Sequence, residues 1–293
     1  MLASPDVRWW CSAVNEPWTG AWRAYPGVWL FTAVVAWAAW PRHGRPAGRA
    51  TSAAGLALLW LALDWPLGAL GASYLATAHA VQFFLLAMVV PPLLLRGVAP
   101  TLGATIGATL ARRPAAARLL RAVTHPVGAM VAFTAVMVAT HVPAVVDTLM
   151  RSPSGAFALD AAWFASGLAF WWPVICPTPA RPRFGPPLRM LYLFFGTLAH
   201  LFIAMWLLLA EFPVYATYEL APPTGWVSPL VDQQLAGGVL LLVAGPYVLG
   251  VITLIFFRWF AREGGDGDLR GDLRGDPRAT PSLSAAAAAG DLA

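Results

Sequence analysis

The stretch YLATAHAVQFFLLAMVVPPLLL, residues 74–95, decides the fold of this chain. It contains no aspartate, glutamate, lysine or arginine, and Arg96 follows it directly. An α-helix needs about 20 consecutive apolar residues to cross the hydrocarbon core of a bilayer. The stretch therefore predicts a membrane-spanning helix.

Six further apolar stretches accompany it. Apolar residues make up 59% of the chain and charged residues only 11%, whereas soluble domains are about 25% charged. We predict an all-α, polytopic membrane bundle of seven transmembrane helices, which occupies residues 1–262. The spans are expected at 22–41, 50–67, 74–95, 125–146, 154–175, 188–210 and 235–257. The remaining residues, 263–293, repeat Gly-Asp-Leu-Arg before an alanine-rich end, which predicts a disordered tail.

Arginines alternate between the two sides of these spans. They cluster after spans one, three, five and seven, at 42, 45, 49, 96, 112, 113, 118, 121, 181, 183, 189, 258 and 262. The loops that follow spans two, four and six contain only Arg151. The positive-inside rule then predicts an outside N-terminus and a cytoplasmic C-terminus, so the tail is cytoplasmic. These arginines report topology, and we expect no nucleic-acid partner.

The composition also excludes several classes of protein. The chain has no lysine, so it lacks the Schiff-base residue of a retinal protein. No Walker loop, GxSxG, HExxH or dinucleotide fingerprint is present. We therefore predict that the protein is not an enzyme.

Polar residues gather in the outer half of the predicted bundle. From the rise of about 1.5 Å per residue, His79, His141 and Asp160 lie roughly 7–9 Å below the outer boundary, and His200 lies deeper. Asp64 and Asp232 lie at the same end. Ionisable groups are costly inside a membrane and mark functional sites. Histidine with carboxylate suits divalent copper or zinc, and added methionine suits Cu(I).

We expect two further side chains at this site, because each shares a helix face with a histidine: Met137 with His141, and Gln82 with His79. A metal or proton site that opens outward is one interpretation. The other is that each histidine bonds a neighbouring helix and only holds the bundle together.

Four motifs, in order, resemble the CtaG family of caa3-type cytochrome c oxidase assembly factors. Residues 76–100, ATAHAVQFFLLAMVVPPLLLRGVAP, resemble HMxQHxLL…PPLLLLGxP, and 140–147, THVPAVVD, resemble WHxPxxYD. Residues 159–179, LDAAWFASGLAFWWPVICPTP, are similar to LEHxxFxxxGxxFWWPVxxP. Residues 232–238, DQQLAGG, resemble DQQxGG.

The resemblance implies a multi-pass protein of the bacterial inner membrane that matures a haem–copper oxidase. Its partners would be oxidase subunits and the lipid bilayer, and its cargo would be copper, as in a metallochaperone. The family pattern carries over at His79, His141, Asp232 and Gln233. It does not at Phe83 and Ala161, where the family has histidine; Asp160 replaces the glutamate beside Ala161. The expected copper ligands are therefore His79, His141, Asp160 and His200.

Three alternatives stay open at this point. The outer polar residues suit a transporter or channel for a small ion. A haem carrier with His79 and His200 as axial ligands is disfavoured, because their depths differ by roughly 8 Å. With two family histidines replaced, the chain is also compatible with a scaffold that binds no metal.

Overall fold

The computed structural model describes residues 8–41, 46–98, 115, 118, 124–175 and 184–273. The described residues form helices and no strand, which confirms the all-α prediction. We number the helices α1 (Pro26–Ala39), α2 (Pro46–Leu63), α3 (Leu67–Ser73), α4 (Ala76–Val98), α5 (Pro126–Ala139), α6 (Pro143–Leu149), α7 (Pro153–Ile175), α8 (Pro186–Leu209) and α9 (Ala216–Glu219). The last, α10, comprises Pro229–Val239, a π-helical turn at Leu240–Ala244, and Gly245–Leu273.

Proline begins most of these helices. It is the first residue of α1, α2, α5, α6, α7, α8 and α10. Proline suits this position because its fixed φ is already helical and its missing N–H needs no partner there. The abundant prolines of this apolar chain therefore mark where helices start.

Five helical segments are long and apolar enough to cross a membrane: Pro46–Ser73, Ala76–Val98, Pro153–Ile175, Pro186–Leu209 and Pro229–Glu263. The pair α5 and α6 makes a sixth if it counts as one span bent by 78°. Helix α1 lies in the first predicted span, but its 14 residues are fewer than a simple span needs. A multi-span membrane bundle is thus confirmed, while the number seven and the orientation stay predictions.

The bend between α5 and α6 has a local cause. Pro143 has no N–H to donate, and its ring disfavours helical backbone at the residue before it. Val142 is accordingly extended, with φ −69° and ψ 124°. The bend places His141 against the interior of the bundle, at the predicted outer end of the fourth span.

Helix α4, formed by the stretch that opened the sequence analysis, is the central helix. In its most apolar window 78% of the residues are buried, against 17% in α10. Its neighbours are α2, α3, α7 and α10. Small residues permit the closest approaches: a Cβ at Gly167 of α7 would lie 2.5 Å from the Ala87 carbonyl oxygen of α4.

Helix α10 continues to Leu273, past residue 262, where the sequence placed the end of the membrane domain. Residues 274–293 of the predicted tail lie outside the described residues, as do Cys176 and most arginines of the predicted cytoplasmic loops. Residues 263–273 of the predicted tail are therefore helical, and disorder of residues 274–293 stays a prediction.

Candidate functional site

Three of the four predicted metal ligands gather around two aromatic side chains. His79 lies on α4, His141 at the bend after α5, and His200 near the middle of α8. They contact Phe83, one turn after His79, or Trp163 of α7. We call these five residues the histidine cluster.

The rings of the histidine cluster pack in a connected series. Ring centroids are 4.7 Å apart for His79 and Trp163, and 5.2 Å apart for Trp163 and Phe83. From Phe83 the distance is 5.1 Å to His141 and 5.5 Å to His200. These separations are typical of packed aromatic rings. Phe83 is therefore the common neighbour of His141 and His200.

The nitrogens of two cluster histidines have no partner in the protein. Both ring nitrogens of His79 and of His200 are buried without a hydrogen bond. The Thr197 carbonyl lies near the His200 ring, but it forms no bond of normal geometry. Leaving a buried polar group unpaired costs about 1–3 kcal/mol, and each such group in a native structure calls for a water, an ion or a functional role.

His141 differs from the other two. Its Nδ1 lies 2.7 Å from the Met137 carbonyl oxygen, so the contact of Met137 with this histidine is through the backbone. The neighbouring Thr140 hydroxyl accepts a hydrogen bond from Trp163 Nε1 at 2.9 Å. The bend thus contributes both a ligand-type side chain and a support for the aromatic part of the cluster.

Asp160 is engaged elsewhere. One carboxylate oxygen accepts a hydrogen bond from Trp10 Nε1 at 2.8 Å, and the other accepts one from Gln82 Nε2 at 3.1 Å. Through these bonds Asp160 ties the segment before α1 to α4 and α7. Gln82 therefore bonds a carboxylate, although the sequence paired it with His79.

Asp232 and Gln233 also hold structure in place. The Asp232 carboxylate accepts from the backbone N–H groups of Ala76 at 2.5 Å and Thr77 at 3.1 Å, so α10 caps the N-terminus of α4. The Gln233 side-chain oxygen accepts from Val214 N at 2.7 Å. This pair fixes the start of α10 against α4 and the loop after α8. Neither residue takes part in the ring contacts of the histidine cluster.

Two other carboxylates at the predicted outer end follow the same pattern. Asp64 accepts from Trp29 Nε1 at 2.7 Å and from Trp65 N at 2.7 Å. Asp147 accepts from Thr217 N and from the Thr217 hydroxyl, both at 2.8 Å. The polar residues that the sequence predicts to lie together therefore form two sets. The carboxylates bond backbone N–H groups, tryptophan and other side chains, whereas the histidines pack on aromatic rings.

Helix α9 borders a cavity of about 560 Å³ on the predicted outer side of the bundle. Ala216 and Thr217 line that cavity, together with Arg8, Glu16, Asp147 and Arg151. On the other side of α9, the Tyr215 hydroxyl donates to the His141 carbonyl at 3.0 Å, and the Tyr218 ring lies 5.7 Å from His79. Burial raises the pKa of both phenols, so their hydroxyls stay protonated as donors.

The donor atoms do not form a ready metal centre. Within the part of the chain that the structure describes, no three His, Cys, Asp or Glu side chains form a group that could hold a metal ion. Aromatic rings join the three imidazoles, and Asp160 has both oxygens occupied. The unpaired nitrogens of His79 and His200 are the only feature of these residues that fits copper. Because they do not form a complete ligand set, copper binding stays a prediction.

The sequence reasoning missed the aromatic half of the cluster. Nothing in the sequence singles out Trp163, and Trp10 and Tyr218 lie in segments outside the predicted spans. A partial signal was present, since Phe83 stands where the resemblance expects a histidine. No signal in the sequence indicated that Tyr218 packs on His79.

Comparison with known proteins returns one family. The model of the Cytochrome c oxidase caa3 assembly factor family (Caa3_CtaG) matches residues 29–262, which confirms the resemblance drawn from the motifs. No curated protein and no solved structure matches this chain.

Proposed function

Because the chain belongs to the caa3-type cytochrome c oxidase assembly factor family, we propose that it is a non-enzymatic protein of the bacterial inner membrane that receives oxidase subunits during assembly. The family match over residues 29–262 is the observation that carries this proposal. We further propose seven spans with the N-terminus outside. The alternation of arginines supports that topology, with α1 and the bent pair α5–α6 as the two irregular spans.

We also propose that the histidine cluster binds copper as cargo. His79 and His200 would bind it through the ring nitrogens that have no partner in the protein, and His141 would contribute its second ring nitrogen. Imidazole nitrogen is a suitable ligand for copper. The outer cavity beyond α9 supports an approach from the extracytoplasmic side.

A deletion strain tests this function. We expect it to lose caa3-type oxidase activity, to contain oxidase with less copper, and to recover at least partly when copper is added to the medium. Unchanged activity, assembly and copper content of the oxidase in the deletion strain would overturn the proposal.

Complementation separates the assembly role from the copper role. The variant His79→Phe/His200→Phe keeps aromatic rings in the cluster and removes its free nitrogens. His125→Asn is the matched control, because His125 caps α5 through Nδ1 and lies outside the cluster. We expect the control to restore the oxidase and the double variant to require added copper. If both variants restore the oxidase fully without added copper, the assembly role would stand and the copper role would be contradicted.

A further inference from the structure

Two arginines line the cavity of about 560 Å³ beside α9. Arg8 belongs to the segment before α1, and Arg151 follows α6. Arginine is scarce at this predicted outer end, and Arg151 is the only one in the loops after spans two, four and six. The remaining arginine near this end, Arg23, forms an ion pair with Glu16. The two arginines that are left therefore line the same cavity.

Hydrogen bonds hold the two arginine-bearing segments side by side. The Ala13 N–H donates to the Met150 carbonyl oxygen at 2.9 Å, and Arg151 follows Met150 directly. Arg8 Nη1 donates to the Ala13 carbonyl oxygen at 3.0 Å and to the Ser12 hydroxyl at 3.3 Å. Within the described residues, Nε and Nη2 of Arg8 form no hydrogen bond. This guanidinium group is therefore positioned before a ligand arrives, which lowers the entropy cost of binding.

The two carboxylates that also line the cavity are already engaged. Asp147 accepts three hydrogen bonds from backbone and side-chain donors at the start of α9. Glu16 is paired with Arg23. Within the part of the chain that the structure describes, neither Arg8 nor Arg151 has an ion pair. The cavity therefore keeps two guanidinium groups without a carboxylate partner, which favours an anionic ligand.

The size of the cavity indicates an organic anion. Sites for small molecules measure about 300–1,000 Å³, whereas one water occupies about 30 Å³. Val14, Leu220 and Ala221 contribute apolar parts of the wall. A halide ion would use little of this space and none of the apolar surface. The ligand that fits therefore has a charged group and a short carbon body.

We propose that the cavity binds a soluble phosphate monoester, with its phosphate between Arg8 and Arg151 and its carbon part against Val14 and Leu220. A phosphate monoester carries about −1.5 to −2 charges at neutral pH and has three acceptor oxygens. It thus balances two guanidinium groups and accepts from the N–H forks of both, whereas a single fork satisfies a carboxylate. No histidine takes part, so the proposal does not depend on the copper role.

The test is isothermal titration calorimetry with glycerol 3-phosphate on the full-length protein, purified in dodecyl maltoside. Arg8→Gln and Arg151→Gln each remove one guanidinium group from the cavity. Arg258→Gln is the matched control, because it removes the same charge from an exposed position of α10 that does not line the cavity. Glu16→Gln removes a negative charge from the wall and frees Arg23. Lactate serves as the carboxylate probe, and nanodiscs that contain phosphatidylglycerol supply a lipid phosphate.

We expect glycerol 3-phosphate to bind the wild type and Arg258→Gln equally, and lactate to bind about tenfold more weakly. Arg8→Gln and Arg151→Gln should each weaken phosphate binding about fivefold or more. Glu16→Gln should strengthen it about twofold, a gain that damage to the fold would not produce. Binding should also weaken below about pH 6, where the ligand gains its second proton.

Three results would overturn the proposal. The first is undiminished binding of glycerol 3-phosphate by Arg151→Gln, and the second is equal affinity for lactate. The third is binding that persists in phosphatidylcholine nanodiscs but is lost when they contain phosphatidylglycerol, because a lipid head group would then fill the cavity.

Discussion

At the scale of single residues, Phe83 occupies the position between the histidines of the cluster where a further ligand could stand. It contacts His141 and His200, lies one turn from His79, and stands where the family resemblance expects a histidine. Its ring packs the cluster and supplies no ligand. The Phe83 ring contacts both His141 and His200, and among the described residues no three metal-ligating side chains form a group.

Replacing Phe83 by histidine should therefore create a stronger copper site. We expect the affinity of the purified protein for Cu(I) to rise more than about tenfold, equivalent to about 1.4 kcal/mol, because a fourth imidazole joins the three. Competition with a chromogenic Cu(I) chelator measures it. Phe84→His is the control, since Phe84 packs on Tyr247. Equal affinities of the two variants would show that Phe83 does not lie among potential ligands.

At the scale of helices, buried carboxylates join elements that are distant in sequence. Asp232 of α10 caps α4, Asp147 of α6 caps α9, and Asp160 of α7 holds Trp10 of the segment before α1. In each case N–H groups that lack a helical partner, or an indole N–H, meet a carboxylate. These carboxylates thus fasten the predicted outer half of the bundle, and one of them, Asp160, was a predicted copper ligand.

The cap from Asp232 can be tested by stability. Asp232→Ala removes both bonds to the N-terminus of α4 and should lower the free energy of unfolding by about 1–2 kcal/mol, the usual cost of a lost cap. Asp232→Asn keeps an oxygen acceptor and should lose less. Thermal unfolding in detergent gives the comparison. A more stable Asp232→Ala protein would contradict the capping role, and unchanged copper binding would be consistent with it.

At the scale of the whole molecule, the sequence predicted the class of fold and the central helix well. Apolar runs of bilayer length and the ordered motifs are local signals, and the helices and family agree with them. The contacts of each polar residue were not predictable, because they depend on how helices rotate and pack. The bend at Val142 has a local cause in Pro143, but the sequence analysis predicts neither this bend nor the π-helical turns.

The proposed topology can be tested with cysteine labelling. In a background without Cys11 and Cys176, we introduce Thr19→Cys, Glu219→Cys or Arg262→Cys, three exposed positions. A membrane-impermeant thiol reagent added to intact spheroplasts should label the first two, and Arg262→Cys only after lysis. Labelling of Arg262→Cys in intact spheroplasts would contradict a cytoplasmic C-terminus.

The most direct test of the central claim is the copper content of the purified protein itself. We expect wild type and His125→Asn to retain one Cu(I) with nitrogen ligands by X-ray absorption, and His79→Phe/His200→Phe to retain almost none while remaining folded. Equal copper retention by the double variant, or a wild-type protein that binds no copper, would contradict the claim that the histidine cluster handles this metal.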